Sequence, residues 1–192
     1  VASYRANPSF NGKNIREITK MVKGRDKLED QILQMLDMYE AGGAQMIYFV
    51  MDEGDIKNIM KQPFTMIASD SGVREFGAGS PHPRGYGNNT RVLGRYVREM
   101  KVITLEDAVR KMTSLPAQTF NLRDRGLIRE GYAADLVIFN DKTVIDRSTF
   151  DNPHQYSDGV NGVVVNGALV FEGGKMTGAM SGRPLYGAGK RD

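Results

Sequence analysis

Apolar residues recur at intervals of three and four in several segments of this chain, which is the spacing of an amphipathic helix. Near the start, Ile15, Ile18 and Val22 have this spacing and predict one helix, and residues 26–39 predict a second. The residues that form the apolar side of the second helix are Leu28, Ile32, Leu36 and Tyr39. We therefore expect that side to face the interior and the opposite side to face water.

Three later segments have the same helical spacing. We predict helices over residues 52–62, 92–100 and 104–122. Asp52 is expected to cap the first of these, and the second is expected to turn Val92, Leu93, Tyr96 and Val97 inward. Thr104 begins the last of these as an N-cap residue, because its hydroxyl can accept a hydrogen bond from the backbone of the first turn. Pro116 lacks the N–H that a helix interior needs, so this helix should bend or end near it.

Two short segments are almost continuously apolar, which is typical of strands that are buried on both faces. These segments are residues 44–50 and 65–68. Because the predicted helix 52–62 connects them, residues 44–68 predict a strand–helix–strand unit with a parallel pair of strands.

The pattern changes after residue 125, where short β-branched segments alternate with Gly and Asn-Gly turns. Asn-Gly between two apolar segments is a strong signal for a β-hairpin, so this part is predicted to be antiparallel sheet. The chain is therefore predicted to divide in two. Residues 1–125 form an α/β part with inserted helices at residues 14–40, and residues 126–192 form a β-rich part.

The composition excludes several classes of protein. The 192 residues include no Cys, which removes disulfides and thiolate metal ligands, and His82 and His154 are the only histidines. Basic and acidic residues are mixed, and only residues 189–192 are locally basic, so we expect no nucleic-acid partner. No apolar segment approaches the roughly 20 residues that cross a bilayer. We therefore expect a soluble, cytoplasmic protein with no membrane partner.

The candidate chemistry lies in residues 65–91. Asp70 follows the predicted strand 65–68, and enzymes built on parallel sheets place their chemistry at the carboxyl ends of strands. A long loop with Gly72, Gly77 and Gly79 follows Asp70 and carries His82 and Arg84, and we call it the Gly-rich loop. The guanidinium group of Arg84 is a planar fork that suits a carboxylate ligand. Asp70 is the first candidate for a catalytic residue.

Each of these residues also has an ordinary structural explanation. An Asp at the end of a strand often caps a helix or stabilises a turn, as Asp70 could do. Arg84 could pair with a carboxylate of the same chain, and a lone histidine such as His82 is more often an orienting or packed residue than a metal ligand. The residues by themselves leave these alternatives open.

Three long motifs occur in the following order: GGAQMIYFVMDEGDIKNIMKQPFTMIASD, then PHPRGYGNNTRVLGRYVREMKVITLEDAVRKMTSLPAQTFNLRDRGLIREGYAADLVIFN, and finally GVNGVVVNGALVFEGG. In this order they resemble the C-terminal portion of N-acyl-D-amino-acid deacylases, which are D-aminoacylases of the amidohydrolase superfamily. The resemblance runs from about residue 1 to about residue 185. It implies an α/β fold, namely the C-terminal part of a metal-dependent (β/α)8 (TIM) barrel followed by strands of a small β-sandwich.

The resemblance also implies an activity and a role for each candidate residue. The family hydrolyses the linear amide bond of N-acyl-D-amino acids, usually with zinc. Asp70 matches the aspartate that acts as general base and then as general acid, and it could also contact the metal. Arg84 matches the arginine that receives the α-carboxylate of the substrate, and we group His82 with it as a substrate-binding residue. This chain has Ser69-Asp70-Ser71-Gly72 where the family usually has Ser-Asp-Gly.

The metal ligands of the family are missing from this sequence. The family provides them as a His-x-His pair, further histidines, and a Cys or another bridging ligand, whereas this chain has no His-x-His and no Cys. A zinc site with three protein ligands cannot be built from what remains. The resemblance therefore implies that a missing N-terminal half is the partner and that this chain alone is inactive. The alternative is a non-catalytic remnant that acts as a binding or structural module.

Overall fold

Contacts between residues divide the protein into two units, which a computed structural model describes over residues 1–186. Residues 187–192, which include the basic segment of the sequence prediction, lie outside the described residues. The first unit contains Val1–Val50, Ser71–Tyr86 and Ser148–Gln155. The second unit contains Met51–Asp70, Gly87–Arg147 and the residues from Tyr156 onward. The predicted boundary between residues 125 and 126 stays a prediction.

The first unit contains a 3-10 turn, Pro8–Phe10, and two helices, α1 (Ile15–Lys23) and α2 (Leu28–Glu40). A capping box starts α1, because Asn14 accepts from the Glu17 N–H at 2.9 Å while Glu17 accepts from the Asn14 N–H at 2.9 Å. The buried core of this unit consists of Tyr4, Phe10, Ile18 and Met38.

The predicted orientation of α2 is wrong. The side that we expected to face inward is exposed, with 72% of Leu28 and 78% of Tyr39 accessible to solvent. The residues that α2 buries are Asp30, Gln34 and Met38. Spacing cannot distinguish these sides, because contacts distant in sequence decide between them. Met38 joins the core beside Ile18, and the carboxylate of Asp30 pairs with Arg25 at 3.0 Å.

The predicted strands over residues 44–50 and 65–68 are also absent. The first segment makes only an isolated antiparallel bridge, between Ser3 and Gln45, and Phe49 remains 77% exposed. Among residues 1–186 no two strands pair in parallel. A strand exists only where a second strand accepts and donates its backbone hydrogen bonds, and the structure places no such strand beside either segment.

Three helices of the second unit follow the sequence prediction. They are α3 (Glu53–Met60), α5 (Leu105–Met112) and α6 (Ser114–Thr119). Asp52 caps α3 by accepting from the Gly54 N–H at 2.7 Å, and Thr104 caps α5 by accepting from the Asp107 N–H at 3.2 Å. The helix is interrupted at Thr113, between α5 and α6. Pro116 has no N–H, so it cannot make the backbone hydrogen bond that would continue α5.

The Gly-rich loop is shorter than predicted, because a helix, α4 (Arg84–Arg91), begins inside it. This helix continues as a π-helical segment, Val92–Glu99, which ends with a hydrogen bond from the Met100 N–H to the Arg95 carbonyl at 2.8 Å. Its buried residues match the prediction of an apolar side. The buried side chains are Val92, Leu93 and Tyr96, with Val97 partly buried, and they pack with Met60, Ala108 and Val144 in the core of the second unit.

The predicted antiparallel sheet is confirmed. Its strands are β1 (Leu136–Phe139), β2 (Val160–Val165), β3 (Ala168–Glu172) and β4 (Lys175–Met176), each paired with the next in chain order. Asn166 and Gly167 connect β2 to β3 with φ values of 48° and 82°, as the tight turn of a hairpin requires.

Candidate active-site segments

Asp70 is the last residue of the segment Met51–Asp70 in the second unit, and it is exposed. Its φ value is 48°, which lies in the left-handed region that residues other than Gly seldom adopt. Asp tolerates this conformation better than most residues, yet it still needs support from the surrounding structure. Three residues earlier, Ile67 packs against the core of the unit and donates its N–H to the Lys111 carbonyl at 3.1 Å.

His82 and Arg84 lie together in the first unit, at the start of α4. The Nδ1 atom of His82 accepts a hydrogen bond from the Arg84 N–H at 3.1 Å, and the His82 carbonyl accepts from the Gly85 N–H at 3.0 Å. Pro83 fits between them, because a helix start needs no N–H there. His82 thus accepts from the first N–H of α4, as a capping side chain does, and fixes the backbone of Arg84, whose side chain is exposed.

The His82 ring is itself held by aromatic packing. It contacts Phe150 edge-on, with ring centroids 5.0 Å apart and an interplanar angle of 77°. Phe150 in turn contacts Phe49 at 4.8 Å and 60°. Edge-to-face pairs of this kind are favourable beyond the area that they bury. The start of α4 is therefore fixed by packing as well as by capping.

Sequence reasoning missed the role of His154, which is also in the first unit. Its Nδ1 atom accepts from the Gly77 N–H at 3.1 Å and lies 3.0 Å from the Tyr86 hydroxyl. Its Nε2 atom lies 2.9 Å from the Gly79 carbonyl oxygen. Because a carbonyl only accepts and a backbone N–H only donates, the Nε2 atom carries the proton. His154 therefore holds two points of the Gly-rich loop.

Two aromatic side chains contact the ring of His154. Its ring lies 5.6 Å from the ring of Phe76 and 5.8 Å from that of Tyr86, and Phe76 contacts Tyr86 at 6.0 Å, all edge to face. Tyr86 belongs to the first turns of α4. His154 and its aromatic neighbours thus connect the Gly-rich loop to the helix that begins with Arg84. A contact between residues so distant in sequence leaves no signal in local spacing.

Polar contacts in the second unit hold the end of α4 and the π-helical segment Val92–Glu99. Arg91 forms an ion pair with Asp146 at 3.0 Å, and the Tyr96 hydroxyl donates to Glu53 at 3.4 Å. Burial raises the pKa of Tyr96 above its ordinary value of 10.0, and the negative charge of Glu53 raises it further.

The described residues do not fit a resident metal ion. Within residues 1–186 no group of three or more His, Cys, Asp or Glu side chains is arranged to hold one. The Nδ1 atoms of both histidines accept backbone hydrogen bonds.

Within residues 1–186, no helix is both long and apolar enough to span a membrane.

Comparison with known proteins shows to which family the chain belongs. The profile of the family described as "Amidohydrolase family" matches residues 24–171. The chain belongs to this family. Its Asp70, His82 and Arg84 all fall inside the matched region.

The individual relatives that the chain resembles within this family are deacylases. The chain is 48% identical over 128 residues to an N-acyl-D-glutamate deacylase of Alcaligenes xylosoxydans xylosoxydans, covering 67% of this chain and 26% of the relative. It is 39% identical over 178 residues to a D-aminoacylase of the same organism, covering 93% of this chain and 34% of that relative. The chain thus spans about a third or less of the curated relatives that it matches.

Solved structures agree with the sequence comparison. A D-aminoacylase structure, described for the functional role of its binuclear metal center, matches with a TM-score of 0.83 and 38% identity, over 95% of this chain and 36% of that one. A second match is the structure of the N-acyl-D-glutamate deacylase from Bordetella bronchiseptica, complexed with zinc and a phosphonate inhibitor. Its TM-score is 0.75 and its identity 39%, over 92% of this chain and 34% of that one.

Proposed function

We propose that this chain provides the proton-transferring carboxylate and the carboxylate-binding arginine of a metal-dependent amidohydrolase that deacylates N-acyl-D-amino acids. The observation that carries the proposal is the similarity to a D-aminoacylase over 93% of the chain, a region that includes Asp70, His82 and Arg84. The relatives are much longer, so the activity belongs to the complete enzyme.

Asp70 is proposed as the catalytic residue that moves protons. Its carboxylate takes a proton from the water that attacks the amide carbonyl, and later gives a proton to the leaving nitrogen as the C–N bond breaks. The products are a carboxylic acid and a free D-amino acid. The exposure of Asp70 and its left-handed backbone support this role, because unusual backbone conformations concentrate at active sites.

Arg84 is proposed as the residue that binds the α-carboxylate of the substrate. A guanidinium group can donate two parallel hydrogen bonds to a carboxylate, which fixes the orientation of the substrate as well as its position. His82 belongs to the same proposal as a substrate-binding residue, since its ring caps the turn that carries Arg84. A fixed backbone at Arg84 reduces the ordering that substrate binding requires.

The metal and the partner complete the proposal. Zinc is the proposed metal, as in the Bordetella bronchiseptica complex. Because the described residues form no group of three or more metal-binding side chains, we propose that its ligands come from other polypeptide, to which Asp70 could add a contact. The proposed partner is the N-terminal half that the longer relatives have. With it, residues 1–125 would complete a (β/α)8 barrel in a cytoplasmic enzyme.

A fused enzyme tests the proposal. The chain would replace the matching portion of the Alcaligenes D-aminoacylase, and the purified, zinc-loaded fusion would be assayed with the N-acetyl derivatives of D-glutamate, D-aspartate and D-leucine. We expect hydrolysis of at least one substrate. Asp70→Asn should abolish it, whereas Asp151→Asn, the same change at another exposed position, should preserve it. A folded, zinc-loaded fusion without activity would favour the non-catalytic remnant instead.

A further inference from the structure

Lys111 is the largest fully buried side chain of the part of the chain that the structure describes, with 0% of it exposed. It lies in the last turn of α5. A buried ammonium group is unfavourable unless acceptors surround it, and replacing a buried ion pair as a whole by apolar residues often gives an equal or greater stability. The position therefore invites an explanation other than stability.

The acceptors of Lys111 come mainly from the chain that leads to Asp70. Its Nζ atom donates to the carbonyl oxygens of Gln62 and Thr65, the latter at 3.2 Å. The Nζ atom also forms an ion pair with the carboxylate of Asp107 on the same helix, at 3.6 Å. Two of the three N–H groups of the ammonium therefore donate to this segment, and the nearby carboxylate offsets its charge.

Two further contacts join the end of α5 to the same segment. The Lys111 carbonyl accepts from the Ile67 N–H at 3.1 Å. The neighbouring Arg110 donates to the Pro63 carbonyl at 2.6 Å and is held by Asp107 at 3.1 Å. Cations and backbone of α5 thus fix residues 62–67 at four points, although this segment has no neighbouring strand among the described residues to hold it.

We infer that Lys111 and Arg110 are positioning residues for Asp70. Asp70 follows Ile67 by three residues and has the left-handed conformation that needs support. The fixed segment provides that support from the amino-terminal side. The inference rests on the proposed function for the role of Asp70, but the contacts themselves can be tested without it.

The first test uses the chain as it is, with amide hydrogen exchange measured residue by residue by NMR. In Lys111→Met we expect the Ile67 amide to exchange at least about tenfold faster, since its local structure opens more often. We also expect the backbone chemical shifts of Asp70 to change. Lys61→Met, which makes the same replacement at an exposed position beside the segment, should change neither.

The second test uses the fused enzyme. In Lys111→Met and Arg110→Met we expect kcat to fall by about 10- to 100-fold, because a small displacement of a reacting group has effects of this size, while KM stays within about twofold. Arg110→Lys, which keeps a cation for the Pro63 carbonyl, should recover most of kcat. If Lys111→Met does not fold, Arg110→Met decides, because Arg110 is partly exposed and not part of the core.

The two tests separate the inference from the proposed function. An inactive wild-type fusion would refute the proposed function, and the exchange and chemical shifts would still decide whether these cations position Asp70. Unchanged exchange at Ile67 and unchanged Asp70 shifts in folded Lys111→Met or Arg110→Met would overturn the inference. So would equal losses of kcat in Arg110→Met and Arg110→Lys.

Discussion

The Nδ1 atom of His82 accepts a hydrogen bond from the backbone N–H of Arg84 at 3.1 Å. This single contact makes the histidine a helix cap and places the arginine in the first turn of α4. The imidazole thus acts on the arginine through the backbone and leaves the guanidinium group to other contacts. Asn, Asp and Ser are the usual capping residues, so replacing His82 by one of them tests whether the contact acts as a cap.

Replacing His82 should separate its capping from its packing. We expect His82→Ala to lower the free energy of unfolding by about 1–2 kcal/mol, because it removes both the cap and the contact with Phe150. His82→Asn restores an acceptor of the kind that caps prefer, and it should recover about 1 kcal/mol of that loss. Urea unfolding measures the energy, and amide exchange at Arg84 localises it. If Asn and Ala give equal exchange at Arg84, the cap has no energetic role.

His154 should control the local stability of the Gly-rich loop. His154→Ala removes the acceptor of the Gly77 N–H and the donor to the Gly79 carbonyl, so we expect the Gly77 amide to exchange about tenfold faster or more. Tyr86→Phe removes only a hydroxyl and keeps the ring packing, so its effect should be clearly smaller. An effect of Tyr86→Phe as large as that of His154→Ala would show that the hydroxyl, and not the imidazole, holds the loop.

Tyr96 should make the protein less stable in alkaline solution. Its pKa is raised in the folded state by burial and by Glu53, so the folded protein holds this proton more tightly than the unfolded chain does. The contribution to stability is complete below about pH 10, the unfolded pKa, and is lost as the pH rises through the folded pKa. Tyr96→Phe cannot ionise. Between about pH 9 and pH 11 we therefore expect wild type to lose more stability in urea unfolding than Tyr96→Phe does.

Local signals were sufficient to predict the parts of the fold that depend on a few neighbouring residues. Asp52 and Thr104 each cap a helix at the predicted position, because capping needs only the backbone of the next turn. Asn166 and Gly167 form the predicted hairpin turn for the same reason, since both adopt the positive φ values that the turn demands. The apolar side of residues 92–97 was also predicted correctly.

Most of the features that sequence reasoning missed depend on distant partners. The side of α2 that faces inward is decided by contacts with residues outside the helix, so spacing alone chose the wrong side. Residues 44–50 have the composition of a strand, but residues 1–186 provide no strand for them to pair with. His154 reaches Gly77 across 77 positions of the chain. The candidate residues Asp70, His82 and Arg84 came from the sequence, whereas the contacts that hold them came only from the structure.

Gly94 offers a test in which helix propensity and packing have opposite signs. Ala is more favourable than Gly within a helix by about 1 kcal/mol, so Gly94→Ala should stabilise the protein if only the helix mattered. However, an added Cβ would lie 2.5 Å from the Val144 carbonyl oxygen and against the side chain of Ile145. A backbone atom cannot move away without disturbing the core around Val144, so we expect a net loss of about 1–3 kcal/mol in urea unfolding. Gly72→Ala, where the added Cβ meets nothing within 4 Å, should be nearly neutral. A stabilising Gly94→Ala would mean that the segment containing Val144 packs less closely against this helix than the structure shows.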